Sequence, residues 1–258
     1  MSAKVLAVAN QKGGVGKTTT TLTLSAALAR MGKQVLVMDL DPHACASVHL
    51  RCYADTVAHT VYDIFSSPRE DQADLWERLA IGGEERHFDL APASIRLSEL
   101  ENDLKDRRGK GAILLDSLAL IRDRYDYIVL DCPPHVGILL VNALVASDLI
   151  VIPIQTDFLA LHGVKLLFDT MRTLNRALPQ KLSYKALATM YDVRAGACRR
   201  VLNLLRRKFQ GRMFETIIRL DTKFREASGS GKVIFDLDPE SRGAREYAHL
   251  ATEIEGLW

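Results

Sequence analysis

The stretch NQKGGVGKTTT, residues 10–20, lies between a short apolar run and a helical pattern. A glycine-rich turn between a strand and a helix exposes backbone N–H groups to a phosphate, and the helix dipole at that end favours negative charge. The ending Gly16-Lys17-Thr18 supplies a lysine that can reach the β- and γ-phosphates and a hydroxyl that can bind Mg²⁺. The combination of strand, loop and helix therefore predicts a nucleotide site in this stretch.

The same stretch departs from the usual phosphate-loop pattern at one position. That pattern has a glycine five residues before Gly16, where this chain has Gln11, and a second lysine, Lys12, stands beside it. A purely structural glycine turn is the alternative interpretation, but it leaves Lys17 and Thr18 unexplained. We therefore interpret the stretch as a nucleotide-binding loop that differs from the usual phosphate-loop pattern at Gln11 and Lys12.

Apolar runs of strand length alternate with helical stretches along the chain, which predicts an α/β fold. We expect one domain over residues 1–258, with a mostly parallel twisted sheet and helices on both faces. The predicted strands lie at 5–8, 34–38, 127–130, 149–152, 186–190 and 215–218. The predicted helices lie at 17–31, 60–65, 97–107, 136–146, 164–175 and 195–209.

Composition excludes several classes of protein. The net charge of +2 over 258 residues gives no global bias towards nucleic acid, so any basic surface must be local. The apolar start is only strand-length, which argues against a signal peptide, and the apolar run 143–154 is too short to span a bilayer. The cysteines show no C-x-x-C pair and no metal-ligand spacing with histidine, so we expect reduced thiols in a cytoplasmic chain. They are Cys45, Cys52, Cys132 and Cys198.

Three acidic residues follow predicted strands. Asp39 and Asp41 come after the strand at 34–38, and Asp131 ends the apolar run at 127–130. Ligands of parallel α/β sheets sit at the carboxyl ends of the strands. Two acids one residue apart on an extended segment point the same way, which suits ligation of Mg²⁺ or of a water. Capping of a following helix is the alternative role for either acid.

Taken together, these motifs resemble the ParA/MinD family of P-loop ATPases, in its ParA (Soj)-like branch. The family's deviant Walker A loop reads KGGxxGK[ST], and residues 12–18 match it at every fixed position. The segment Asp39-Leu-Asp-Pro42 resembles the family's D-x-D-P, and Asp131-Cys-Pro-Pro134 resembles its D-x-P-P. The resemblance runs from about residue 3 to residue 257, with the strongest motifs in the first 158 residues.

The resemblance implies ATP and Mg²⁺ as ligands and gives catalytic roles to Lys12, Lys17 and Asp41. Lys12 would reach the phosphates of the opposite subunit in an ATP-bound homodimer, Lys17 would serve its own nucleotide, and Asp41 would position or activate the attacking water. A lysine supplied by a partner makes hydrolysis depend on two subunits. The implied Mg²⁺ residues are Thr18, Asp39 and Asp131. The implied nucleotide contacts in the loop are Lys12, Gly13, Gly14, Val15, Gly16, Lys17, Thr18 and Thr19.

Two later segments resemble the family's base-binding elements. Each ends a predicted strand with an acid, Asp192 or Asp221, whose carboxylate could accept a hydrogen bond from the exocyclic amine of adenine. Arg219 stands where the family usually has a proline, and we include it among the predicted nucleotide contacts.

The segment 194–225 is locally basic. Its cations cannot all share one face of a helix, so part of the run is consistent with an ordinary solvated helix. By resemblance to ParA-type proteins, the segment would contact the phosphates of non-specific DNA in the ATP dimer. The predicted DNA contacts are Arg199, Arg200, Arg206, Arg207, Lys223 and Arg225.

The resemblance implies a dimerisation switch that positions or partitions a chromosome, a plasmid or a protein assembly over the nucleoid. A ParB-like protein or cargo adaptor would stimulate hydrolysis. The nearest alternative is a MinD- or FlhG-like ATPase at a membrane or cell pole, but the acidic C-terminal helix with Gly256 opposes binding to anionic lipid. Its apolar residues are expected to pack on the core instead; they are Leu250, Ile254 and Leu257.

Other functions are known on the same scaffold. An amidoligase-like synthetase is one alternative. An iron–sulfur ATPase would need a second cysteine in company with Cys132, and a tyrosine kinase relative would need a tyrosine-rich tail, where only Tyr247 is present.

Overall fold

The structure, a computed structural model, describes residues 2–82, 87–159 and 162–258. Seven strands form one sheet in the order β3-β2-β4-β1-β5-β6-β7, and every neighbouring pair is parallel. The strands are β1 Lys4–Val8, β2 Val35–Asp39, β3 Asp89–Ala91, β4 Tyr127–Asp131, β5 Leu149–Gln155, β6 Tyr184–Tyr191 and β7 Met213–Arg219. All six predicted strands are present, and β3 was missed.

Twelve α-helices lie in the described part of the chain. They are α1 Lys17–Arg30, α2 Cys45–His49, α3 Val61–Ser66, α4 Gln72–Leu79, α5 Leu100–Asp103, α6 Ile113–Leu118, α7 Ile138–Ala146, α8 His162–Leu174, α9 Gly196–Lys208, α10 Lys223–Gly229, α11 Ile234–Leu237 and α12 Arg242–Glu255. The helix predicted at 97–107 is wrong in extent, because a 3₁₀ turn at Ile95–Glu99 leads into the single turn of α5.

The sheet is buried on both faces, because successive side chains of its strands alternate between two cores. Leu6 and Val8 pack in the core that α1, α11 and α12 cover. Val5 and Ala7 pack in the core that α3 to α8 cover. This period of two is what a parallel sheet between two helical layers requires. The prediction of a single α/β domain with helices on both faces is confirmed.

The carboxyl ends of the strands meet at one edge of the sheet, which we call the carboxyl edge. Strand β1 lies between β4 and β5, so the loop after β1 emerges between the ends of those two strands. Asp39 and Asp131 are paired in register at the ends of β2 and β4. The fold therefore gathers the glycine-rich loop and the predicted acids at one edge, where ligands bind in sheets of this kind.

Helix α12 covers the outer side of β7, the last strand of the sheet. Glu253 accepts the backbone N–H groups of Glu215 and Thr216, at 2.9 and 3.1 Å, and Glu246 accepts that of Arg219 at 2.7 Å. Helix α12 also buries Leu250 and Ile254, as predicted.

The prediction for Leu257 was wrong: this side chain is 39% exposed, because α12 ends at Glu255 before reaching it. Among the described helices, none is both long and apolar enough to span a bilayer.

Candidate nucleotide site

The glycine-rich loop joins β1 to α1 through backbone conformations that favour glycine. Gly14 has a φ of 72° and Gly16 a φ of 91°, both in the left-handed region. Gly16 is the N-cap of α1, and the first intrahelical bond runs from the N–H of Thr20 to its carbonyl. An α-helix leaves its first N–H groups without an intrahelical partner, so this end of α1 offers donors and a positive dipole to an anion.

Side chains from the neighbouring strands fix the loop in place. Asn10 donates its amide to the carbonyl of Pro153 in β5 at 2.8 Å and accepts the N–H of Lys12 at 3.0 Å. Thr189 of β6 donates its hydroxyl to the carbonyl of Val15 at 2.9 Å. The loop is therefore held to two strands at the carboxyl edge, which preorganises its backbone donors.

The two lysines of the loop take different partners. Lys17 is buried, and its Nζ lies 3.4 Å from the carbonyl oxygen of Lys12, so it arches over the loop. The Nζ of Lys12 lies 2.5 Å from Oδ2 of Asp157, just beyond the end of β5. Gly163 in α8 permits this placement, since a Cβ there would lie 2.6 Å from the Cβ of Lys12.

Asp131 joins the end of β4 to the first turns of α1. It accepts the hydroxyl of Thr18 at 2.8 Å and that of Thr21 at 3.1 Å. Burial raises the pKa of Asp131, and the neighbouring carboxylate of Asp39 raises it further. A nearby cation would stabilise the ionised form of this buried carboxylate.

The donor set around Thr18 fits Mg²⁺ that is carried with a nucleotide. The described residues contain no group of three or more His, Cys, Asp or Glu side chains that could hold a metal by themselves. Mg²⁺ prefers to keep waters and to bind through few protein oxygens together with phosphates.

Asp39, predicted as a magnesium residue, accepts three hydrogen bonds from protein donors. Its Oδ1 accepts the N–H of Asp41 at 3.1 Å, and its Oδ2 accepts the N–H and the hydroxyl of Ser47, at 2.8 and 2.7 Å. The Ser47 oxygen in turn accepts the N–H of Ala93 at 3.0 Å. The carboxylate therefore anchors α2 to the end of β2, as in the capping alternative, and both of its oxygens accept hydrogen bonds from protein donors.

The charged groups of the site lie close enough together that all of them affect the pKa of the Cys45 thiol. Burial raises its pKa, the carboxylates of Asp41, Asp39 and Asp131 raise it further, and the ammonium of Lys17 lowers it. A single side chain thus experiences the charges of β2, β4 and the loop together. The structure brings these predicted residues to one place.

A cavity of about 600 Å³ opens beside Gly16 and Thr18. Much of its wall is apolar, from Met190, Ile218, Phe224 and Tyr247. Tyr247 is held by Thr20 of α1, with 2.8 Å between the two hydroxyl oxygens. Such a cavity next to a phosphate cradle suits a flat aromatic base. No local sequence pattern points to Phe224 or Tyr247 as part of this cavity, because α10 and α12 lie far along the chain from the loop.

The predicted base contacts divide into two groups. Asp221 and Arg219 line the cavity. Asp221 accepts the N–H groups of Lys223 and Gly243, at 3.0 and 3.1 Å, while the Arg219 guanidinium pairs with a carboxylate of α12. Asp192 does not line the cavity, and its carboxylate pairs with Arg194 at 3.1 Å. The structure therefore does not support a base contact by Asp192.

The predicted DNA contacts also divide. Five cations of α9 are exposed, namely the four predicted contacts on this helix and Lys208, and within the described residues none of them has an ion-pair partner. We call them the basic surface: Arg199, Arg200, Arg206, Arg207 and Lys208. Lys223 is paired with Glu226 at 2.6 Å, and Arg225 lines the nucleotide cavity. These two residues are therefore less available to DNA than the basic surface.

Comparisons with known proteins show the family to which the chain belongs. Residues 3–184 match the family model described as an AAA domain. The sporulation initiation inhibitor protein Soj of Bacillus subtilis (strain 168) is 38% identical over 97% of this chain and 98% of its own length. The chromosome partitioning protein ParA of Myxococcus xanthus (strain DK1622) is 33% identical over 97% of this chain and 87% of its own length.

A solved structure of cobyrinic acid a,c-diamide synthase from Mycobacterium smegmatis, with bound ATP analog and magnesium, superposes with a TM-score of 0.84. It is 30% identical and covers 99% of this chain and 96% of its own. Fold and loop together define a P-loop nucleotide-binding domain. The chain belongs to the ParA/MinD family of P-loop ATPases and, within it, is Soj-like.

Proposed function

We propose that the chain is a ParA-like partitioning ATPase that switches by dimerising on ATP. Two copies would meet across the nucleotide, and the dimer would bind DNA without sequence preference. A ParB-like protein or cargo adaptor would stimulate hydrolysis and release the dimer. The chain would then act in the cytoplasm, associated with the nucleoid.

The nucleotide site supplies the parts that ATP hydrolysis needs. The N–H groups at the start of α1 would receive the phosphates, Lys17 would neutralise their charge, and the Thr18 hydroxyl beside Asp131 would hold Mg²⁺. When bound, Mg²⁺ neutralises charge on the β- and γ-phosphate oxygens. Asp41 would accept a hydrogen bond from the attacking water.

The position of Lys12 is the observation that carries the switch. Lys17 arches over its own loop, whereas the Lys12 ammonium lies against Asp157 and the Lys12 side chain is 24% exposed. A cation at this place would exchange Asp157 for a phosphate that faces the loop from outside. Placed across a dimer, it would stabilise the transition state in the manner of an arginine finger.

The basic surface is the part proposed to meet DNA. Its cations project from one helix whose apolar side, with Leu202 and Leu205, is buried. Exposed cations without partners can each neutralise a phosphate and release its counterion, and a dimer would present two such surfaces. Phosphate contact of this kind carries no sequence information.

Light scattering and DNA co-sedimentation test the switch together. Asp41→Ala should bind ATP and accumulate as a dimer that pellets with DNA, because the dimer forms but is not released by hydrolysis. The wild type with ADP should remain monomeric. A monomeric Asp41→Ala protein with ATP would count against the proposal. Pelleting with anionic liposomes in place of DNA would favour the MinD-like alternative.

A second candidate is ATP-dependent amidation, which the likeness to cobyrinic acid a,c-diamide synthase favours. The same nucleotide site would then activate a carboxylate of the substrate. Incubation with ATP, glutamine and cobyrinic acid, followed by mass spectrometry, tests it. Formation of an amide would establish this candidate, and its absence alongside DNA-bound dimers would support the partitioning function.

A further inference from the structure

His43 contacts Asp41 through two separate groups. Its backbone N–H and its ring nitrogen Nδ1 each lie 3.0 Å from Oδ1 of Asp41. The ring lines the same cavity as Thr18 and Thr19, and its side chain is 67% exposed, while the Asp41 side chain is 11% exposed. An accessible imidazole thus sits on a nearly buried carboxylate at the nucleotide site.

The pattern of these bonds leaves one oxygen of Asp41 available. An ionised carboxylate only accepts hydrogen bonds, so Nδ1 of His43 carries the hydrogen and donates it. Both bonds fall on Oδ1, and within the described residues no hydrogen bond reaches Oδ2. Two donors on one oxygen fix the rotation of the carboxylate, and its second oxygen keeps full accepting capacity.

We propose that His43 is a positioning residue for Asp41 in ATP hydrolysis, a role that rests on the proposed ATPase function. The imidazole holds Oδ1, and Oδ2 accepts the hydrogen bond from the attacking water. A fixed acceptor orients the water without having to order itself in each turnover. His43 acts on the rate of hydrolysis through Asp41 and not on the binding of ATP.

The backbone bond alone would give a simpler account. An N–H two residues after an aspartate often bonds to its side chain in a turn, and any residue at position 43 can supply it. Only the ring bond depends on histidine. A test must therefore remove the ring while keeping the backbone, and then restore the ring's donor by itself.

Two variants of His43 and one control make this test. His43→Ala removes the ring. His43→Asn places an amide N–H close to where Nδ1 stands, so it restores the donor. His87→Ala is the matched control, because His87 forms a similar pair with Asp236, at 2.5 Å, and lines a different cavity. For each protein kcat, KM for ATP and the dimer fraction at saturating ATP are measured, with thermal unfolding as a check on folding.

We expect His43→Ala to lower kcat about tenfold, the scale of one charge-assisted hydrogen bond, with KM and the dimer fraction unchanged. His43→Asn should recover kcat to within about threefold of the wild type, and His87→Ala should match the wild type. An unchanged kcat in His43→Ala overturns the inference, and so does a His43→Asn protein as slow as His43→Ala. A wild type without ATPase activity would refute the proposed function itself, and the inference with it.

Discussion

Charged side chains at the carboxyl edge are held across long stretches of chain, whereas those of α9 and α10 are paired locally or not at all. The bond between Thr18 and Asp131 joins residues 113 apart, and that between Lys12 and Asp157 joins residues 145 apart. Lys223 instead pairs with Glu226, three residues on, and the cations of α9 have no partner within the described residues. The first set is therefore fixed by the fold, while the unpaired cations of α9 can exchange solvent for a partner at little cost.

The largest effect should follow from Lys12→Ala. If this lysine completes the site of the opposite subunit, its loss should reduce ATP hydrolysis about 10³-fold or more, as removal of an arginine finger does. Binding of a fluorescent ATP analogue should persist, because Lys17 remains. Asp157→Asn serves as the control, since it breaks the same ion pair but keeps the lysine, and it should hydrolyse ATP. Normal turnover by Lys12→Ala would contradict the role in trans.

Asp131→Asn should come next, with hydrolysis reduced on the order of 10²-fold. The substitution removes the negative charge that orients the Thr18 hydroxyl and compensates a cation. Turnover measured against Mg²⁺ concentration should show a higher requirement for the metal. An unchanged Mg²⁺ dependence would mean that Asp131 serves the fold alone.

The basic surface should show an intermediate effect. Arg206→Ala combined with Arg207→Ala should weaken DNA binding by the ATP dimer roughly tenfold and lower the slope of log affinity against log salt by about 2 per subunit. Lys223→Ala is the matched control and should change binding less than about twofold, because its ammonium is already paired. Fluorescence anisotropy over a salt series measures both. A larger loss of DNA affinity in Lys223→Ala than in the double variant would indicate that the DNA contact lies on α10.

The smallest effect on hydrolysis should come from Asp39→Asn, despite its register with Asp131. An amide supplies one acceptor oxygen for the three donors that the carboxylate receives, so we expect a loss of about 1–3 kcal/mol in unfolding free energy. Turnover should fall less than about threefold at a temperature where the variant is folded. Thermal unfolding and ATPase assays separate the two readouts. A loss of turnover as large as in Asp131→Asn would indicate that Asp39 takes part in binding Mg²⁺.

Much of the sheet could be predicted, because its central strands are long apolar runs that end in acids or a glycine-rich loop. Strand β3 could not, since Asp89-Leu-Ala91 is only three residues long and pairs with β2 on one side. Its formation depends on the neighbouring strand and not on a local pattern.

The loop and Asp131 could be identified as candidate site residues from the sequence, since their residue types and spacing suit the binding of phosphate and Mg²⁺. The role of Asp39 was not, because its partner Ser47 lies in the five-residue helix α2, whose position depends on the fold. The cavity walls could not be predicted for the same reason, because Phe224 and Tyr247 line the cavity only once α10 and α12 have packed on the sheet.

The carboxylates that α12 presents to β7 have a consequence for assembly. An open edge strand is a template on which another chain can add its own strand. Here Glu253 and Glu246 already take up backbone N–H groups of that strand, so an incoming strand would have to displace them. Growth of a continuous sheet from chain to chain is thereby disfavoured on this side. The proposed switch, which would associate and separate repeatedly, would then avoid the stable continuous sheet that joined edge strands form.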